Sequence, residues 1–303
     1  MSKKELLSAL DQKYEALGEN PETYLKGLLQ AKPINYWDYI DVDALLSLQK
    51  PRTDFKDEEI FIMYHQITEL VLKLMINELK QITLEDLTEE VFIDKMKRLK
   101  RYTNLLMTSF DVMRFGMSYE DYNTFRATLA PASGFQSAQF RILEIYCTPL
   151  ENLVNAQGKQ RLPEHPSTED YFDHIYWKDA GHNRKTGKKT LTLRLFEEKY
   201  LNDFIRLANS MKGKTVAEKL QKFTNPSKEL TEAARDFDHY YNVEWPLVHL
   251  RTAQHYLDKK GENKAATGGS EWKKYLHPKY QQRKFFPKLW SEKDILTWGE
   301  ETE

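Results

Sequence analysis

Three observations predict a single all-α domain. Hydrophobic residues recur with a 3.6-residue period over long stretches, most clearly from Asp57 to Ile82. Twelve glycines and eleven prolines in 303 residues are few, which favours a handful of long elements over many short strands. Aromatic residues make up 13% of the chain, too many for a disordered one and enough to fill a core. Function classes fall away on the same counts. Lys and Arg total 45 against 46 Asp and Glu, a net charge of −1, so there is no basic excess with which to grip nucleic acid. The lone Cys147 rules out an internal disulfide, a cysteine-built zinc site and covalent haem attachment through CxxCH, and it fits a reducing compartment, here the cytoplasm. The N-terminus is charged throughout and lacks the apolar stretch of a signal peptide. No run of about 18 apolar residues spans a membrane.

Each element follows from local pattern. Residues 3–18 form an amphipathic helix on Leu6, Leu7, Leu10, Tyr14 and Leu17, stopped by Gly18. The segment between Pro33 and Pro51 begins extended and aromatic, then turns helical after Asp41 through Val42, Leu45 and Leu46. Asp57 to Ile82 is apolar on most sides and is therefore a buried helix. Thr88 to Phe115 is a second long helix, with Lys95, Lys97, Arg98, Lys100 and Arg101 on its outer face and Gly116 at its end. Ser118 caps a helix running to Leu129. After the APASG break (130–134), another helix runs from Phe135 to about Asn155. Residues 156–193, with scattered Gly, Pro and charge, read as a long, partly ordered insertion, within which 189–195 alternates like a strand. Helices return at 195–212 and 215–224. A last long helix spans Lys228 to Lys259, and Pro246 should kink it just before Val248 and His249. Residues 261–290 read as loop and tail.

Two of the eight histidines lie mid-way along the most apolar helices. His65 shares a face with Phe61, Thr68 and Leu72; His249 sits one turn past Pro246. An imidazole on an apolar face either bonds its nitrogens to neighbouring carbonyls or serves as a metal or haem ligand and a pocket hydrogen-bonder. His65 and Glu69 are four residues apart, but no third ligand follows at a recognised spacing and HExxH is absent, so zinc gains no support. Arg126, flanked by Phe125 and Leu129, needs a carboxylate from the protein or from a ligand. The ATGGS run (266–270) allows close backbone approach but matches no nucleotide-binding pattern.

Five segments in order resemble the tryptophan 2,3-dioxygenase family: YWDYIDVDALLSLQ (36–49), FIMYHQITEL (61–70), FRATLAPASGFQSAQFR (125–141), WPLVHLRTAQ (245–254) and ATGGSEWKKYL (266–276). The resemblance implies one all-α domain over 1–303, a helical bundle enclosing non-covalent haem b. Within it, 1–32 is an N-terminal helix, 33–52 an intersubunit segment and 261–290 a substrate-side loop and tail. It implies a homotetramer that uses O2 to open the indole ring of L-tryptophan, giving N-formyl-L-kynurenine. By the same resemblance His249 is the proximal iron ligand and His65 the catalytic distal histidine that meets the indole N–H. Phe61 and Tyr122 pack on the indole, Arg126 pairs with the substrate carboxylate, and Thr267 contacts its ammonium and carboxylate. Ser133 and Gly134 lie near the haem edge, and Tyr36, Tyr39 and Ile40 reach a neighbouring subunit's pocket. The chain departs from the family pattern at HQITELV, where HQTSELW is common, and at ATGGSEW, where GTGGSSG is common; residues 156–230 match poorly. A haem oxygenase acting on another indole amino acid, or a non-catalytic haem-binding helical protein, is the alternative.

Overall fold

The chain divides into two units, residues 1–49 and 50–303. The computed structural model describes residues 1–129, 136–183, 186–258, 273 and 276–300. In the first unit, α1 (Lys3–Ala16) opens with a reciprocal cap in which the Glu5 N–H donates to the Ser2 hydroxyl and the Ser2 N–H to the Glu5 carboxylate. Gly18, at φ 75°, ends the helical course as expected. A second helix, α2 (Pro21–Gln30), follows where the sequence pattern suggested none; Asn20 caps it and Pro21 takes its first position. Tyr14 and Tyr24 stack across the pair, with ring centroids 4.1 Å apart. The aromatic stretch expected to be extended is instead α3 (Tyr36–Ile40), capped by Asn35. Asp41, at φ 54°, turns the chain into α4 (Val42–Leu46). None of these four helices carries a buried residue.

The second unit is built on α5 (Asp57–Leu84) and α6 (Glu89–Gly116), which pack along each other. Ser118 caps α7 (Tyr119–Phe125), which continues as a 3-10 turn over Arg126–Leu129. Next comes α8 (Ala138–Cys147), shorter than the helix expected over 135–155. Pro149 is the reason: it pushes Thr148 to an extended conformation (φ −152°, ψ 153°) and ends the helix. The stretch 156–183 is more ordered than its composition suggests. It holds α9 (Ala156–Lys159), α10 (Thr168–Asp173) and a 3-10 turn at Tyr176–Gly181, and it buries Phe172, Ile175 and Trp177 in the main core. The alternating run at 189–195 is not a strand. Thr190 caps α11 (Leu191–Met211) there, and the described residues contain only isolated β-bridges. α12 (Val216–Leu220) is brief.

α13 (Lys228–His239) and α14 (Trp245–Leu257) form one rod joined by a π turn, Tyr240–Glu244. Pro246 therefore leaves its mark as a widened turn, in which the Trp245 N–H donates to the Tyr240 carbonyl five residues back. The tail adds α15 (Pro278–Gln281) and α16 (Glu292–Leu296). α6 receives α5, α13 and α14, while α8 lies between α5 and α11. The core runs through Met75 and Leu79 of α5, Met96 and Leu99 of α6, Leu143 of α8 and Phe237 of α13, all fully buried. No described helix is long and apolar enough to cross a membrane.

The start of α5 is held by Glu58, which is 1% exposed. Its carboxylate accepts from the Arg52 and Thr53 N–H groups at 3.0 and 2.8 Å and from the Thr53 hydroxyl at 2.5 Å. Burial pushes the Glu58 pKa up, but these bonds to the ionised form outweigh it and hold the group below its usual range. A carboxyl depressed in the native state contributes stability above its unfolded pKa and loses it as pH falls through the native value. Glu58→Gln is expected to be less stable than the parent at neutral pH, with the gap closing as pH falls through the carboxylate range. Urea melts of both proteins over that range check this.

Candidate active site

Two of the sequence-singled histidines share one environment in the second unit. His65 lies in the third turn of α5 and His249 in the second turn of α14. Both side chains are exposed to solvent by area. Yet surrounding protein pushes both pKa values down, His249 to about 4, and the proximity of His65 lowers His249 further. For His65, burial is partly offset by the Phe61 carbonyl and by Glu69. A ring surrounded by protein that still touches solvent borders an open cleft. Aromatic contacts trace its wall: His65 meets Tyr64 edge-on at 5.2 Å, Tyr64 meets Phe110 at 5.4 Å, and Phe110 stacks on His249 at 5.2 Å and 30°.

The two imidazoles differ in what they offer. His65 Nδ1 lies 2.7 Å from the Phe61 carbonyl, one turn earlier on its own helix. A carbonyl only accepts, so Nδ1 carries the proton and Nε2 presents a lone pair to the cleft. His249 has no hydrogen-bond partner among the described residues, and its depressed pKa keeps it neutral, with a lone pair free to bind a metal. Glu69 is not a co-ligand of His65: Gln139 of α8 donates to its carboxylate at 2.8 Å and to its backbone carbonyl at 2.7 Å.

α7 closes one side of the cleft. Its start is tied to α5 by the Ser118 N–H, which donates to Asp57 at 2.5 Å. That bond brings Tyr122 to 6.1 Å from Phe61, whose ring lies 4.2 Å from His65. Phe125, fully buried, backs both. Arg126 follows at the helix end, its guanidinium 5.9 Å from the Tyr122 ring. The structure thus brings Phe61, His65, Tyr122 and Arg126 together around α5 and α7. Tyr36, Tyr39 and Ile40 belong to the first unit, where they are 72%, 76% and 40% exposed. Ser133, Gly134 and Thr267 lie outside the described residues. Tyr64, Phe110 and Tyr256 were not singled out from sequence. Each is a buried core aromatic that helix packing sets beside His65, His249 or Tyr122, and no local signal marks it.

A profile of the tryptophan 2,3-dioxygenase family matches residues 27–163, the stretch that holds Phe61, His65, Tyr122 and Arg126. The chain is 29% identical to the tryptophan 2,3-dioxygenase of Ruegeria pomeroyi over 274 residues, covering 86% of this chain and 92% of that one. It is 26% identical to that of Bradyrhizobium diazoefficiens over 296 residues, covering 93% of this chain and 98% of that one. With the enzyme of Bacillus anthracis it shares 29% identity over 267 residues, 85% of this chain and 91% of that one. The chain is thus similar to tryptophan 2,3-dioxygenases over most of its length. The Bradyrhizobium alignment leaves so little of this chain outside that it must run through His249.

Haem is the group this family implies, and the residues present fit it. Phe61, Tyr64 and Phe110 make the surroundings apolar, and His249, neutral and without a hydrogen-bond partner among the described residues, would hold the iron. Tyr256 fastens this wall. Its ring lies 4.3 Å from Tyr122, and its hydroxyl donates to the Met113 carbonyl of α6. Tyr256→Phe is expected to lose about 1 kcal/mol, the usual net worth of such a bond, while keeping the ring contact. Urea unfolding of the apoprotein measures the loss.

Proposed function

We propose that this protein is a haem-dependent dioxygenase that adds both atoms of O2 across the indole C2–C3 bond of L-tryptophan, giving N-formyl-L-kynurenine. The observation that carries the reading is the pair of protein-enclosed yet open histidines, one with a lone pair free for iron and the other with its acceptor nitrogen turned to the cleft. Haem iron, when bound, supplies the binding and activation of O2. His249 holds it. His65 Nε2 accepts the indole N–H, because Nδ1–H is already committed to the Phe61 carbonyl. The catalytic part of His65 is thus orientation of the ring, which removes the entropic cost of alignment from the reacting step. Phe61 and Tyr122 pack on the indole faces. Arg126 gives the planar fork that a carboxylate matches with two bonds. Thr267 contacts the substrate ammonium and carboxylate, and Ser133 and Gly134 border the haem edge, as the family pattern implies.

The same reading makes the enzyme a homotetramer whose pocket is completed by Tyr36, Tyr39 and Ile40 of a neighbouring copy. Two surfaces support it. Those residues, with Trp37 at 60%, are exposed to a degree unusual for large apolar side chains. On α5, Ile67, Leu70 and Leu74 form an exposed stripe at helical spacing, 43–49% accessible.

The test is direct. Protein purified with haem and reduced under O2 with L-tryptophan should show a Soret band and form N-formyl-L-kynurenine; a Soret band with no such product would point to a different indole substrate. His249→Ala should lose the Soret band of the iron-ligated haem. Arg126→Ala should keep the spectrum and raise KM for L-tryptophan roughly 10- to 100-fold, the worth of a charged hydrogen-bond pair. An unchanged KM would remove Arg126 from the carboxylate role.

A further inference from the structure

The direction in which His249 points depends on the π turn that precedes it. An α-helical turn in place of Tyr240–Glu244 would change the register of everything after it by one residue, about 100° around the axis. His249 would then leave the face on which Phe110 stacks. Two features hold the turn. Pro246 lacks the N–H that an α-helix would place on the Asn242 carbonyl. That alone permits a kinked α-helix as readily as a π turn.

The second feature is Asp238, on the last turn of α13 and fully buried. Its Oδ1 accepts from Asn242 Nδ2 at 2.7 Å and from the Phe285 N–H at 2.8 Å. Its Oδ2 accepts from the Phe286 N–H at 3.0 Å and from Trp290 Nε1 at 2.8 Å. All four acceptor positions are filled, and Asp238 forms no ion pair among the described residues, so neutral donors alone fix the carboxylate plane. Asn242 lies inside the π turn and is itself 1% exposed. Its Oδ1 makes no hydrogen bond, which leaves the bond to Asp238 as the tether that sets its side chain. The tail is anchored a second time, where Arg283 donates to Glu144 and to the Tyr176 hydroxyl at 2.8 and 2.7 Å.

We propose that Asp238, acting through Asn242, is a positioning residue that fixes the π turn and thereby aims His249 into the cleft, with residues 283–290 bracing the carboxylate from behind. The inference rests on the reading of His249 as the haem ligand. A purely structural Asp238 would affect stability alone; a positioning one also affects the iron–histidine bond.

The deciding variant is Asn242→Ala in the full chain reconstituted with haem, because it cuts the tether and leaves the three bonds from the tail to Asp238 in place. Two readouts are used: the iron–histidine stretching band of the ferrous protein, and the rate of haem transfer to an excess of apomyoglobin. The expected result is a shifted band and haem loss roughly tenfold or more faster, the scale set by losing one charge-assisted bond, with residues 283–290 as protected from amide exchange as in the parent. Asp238→Asn should give the same band shift and in addition lose that protection, since an amide turns a donor toward two of the four donors. A parental band and a parental haem-loss rate in Asn242→Ala would overturn the proposal. If the parent itself shows no iron–histidine band, the ligand reading fails, and amide exchange of the apoprotein decides the rest. Faster exchange over 240–250 in Asn242→Ala supports the tether, and unchanged exchange there overturns it.

Discussion

A carboxylate cannot be buried alone, and this constraint organises the second unit. Removing an ion from water costs far more than one hydrogen bond returns, so each buried carboxylate must gather donors from wherever the chain can bring them. Glu58 gathers them from residues 52 and 53 and sets the start of α5. Glu144 draws Arg141 of its own helix, the Tyr176 hydroxyl and Arg283 of the tail. Asp238 draws the π turn and residues 285–290. For Glu144 and Asp238 some of the donors are far away in sequence, so these carboxylates join segments that apolar packing would hold only loosely in register. Such groups add less net stability than their bond count suggests; what they specify is one arrangement among several of similar burial.

The cleft depends on that arrangement. Its walls are aromatic, and its two histidines differ in what surrounds their nitrogens. The difference arises from backbone rather than from side-chain chemistry. His65 has a carbonyl one turn below it and is thereby fixed as an acceptor toward the cleft. His249 has Phe110 stacked beside it and keeps its lone pair. An apolar environment that lowers both pKa values keeps both rings neutral.

Much of this was legible in the sequence where the cause is local. The long helices α5 and α6, the stop at Gly18 and the cap at Ser118 follow from period and from single-residue chemistry. The segments that misled did so because local signals competed. Aromatic Tyr36–Ile40 looked extended, but Asn35 caps it into a helix. Alternation at 189–195 resembled a strand, yet Thr190 opens a helix and no neighbouring strand exists among the described residues to pair with it. The polar stretch after residue 155 gave no sign of Phe172, Ile175 and Trp177 reaching the core, because three apolar residues at irregular spacing carry no period. Pro246 announced a distortion; only packing decided that it would be a π turn.

The site divides along the same line. Sequence by itself pointed to His65, Arg126 and His249 as candidates, to the likeness with tryptophan 2,3-dioxygenases and to the all-α class, because these depend on residue identity and on a period set by backbone geometry. It could not say that His65 and His249, 184 positions apart, share one cleft. Nor could it say that Tyr64, Phe110 and Tyr256 form its wall, or that a carboxylate at 238 holds the turn before the second histidine. Those are long-range facts. They follow from which helices pack on α6 and from where buried charge finds its donors, and neither is written in the neighbours of any one residue.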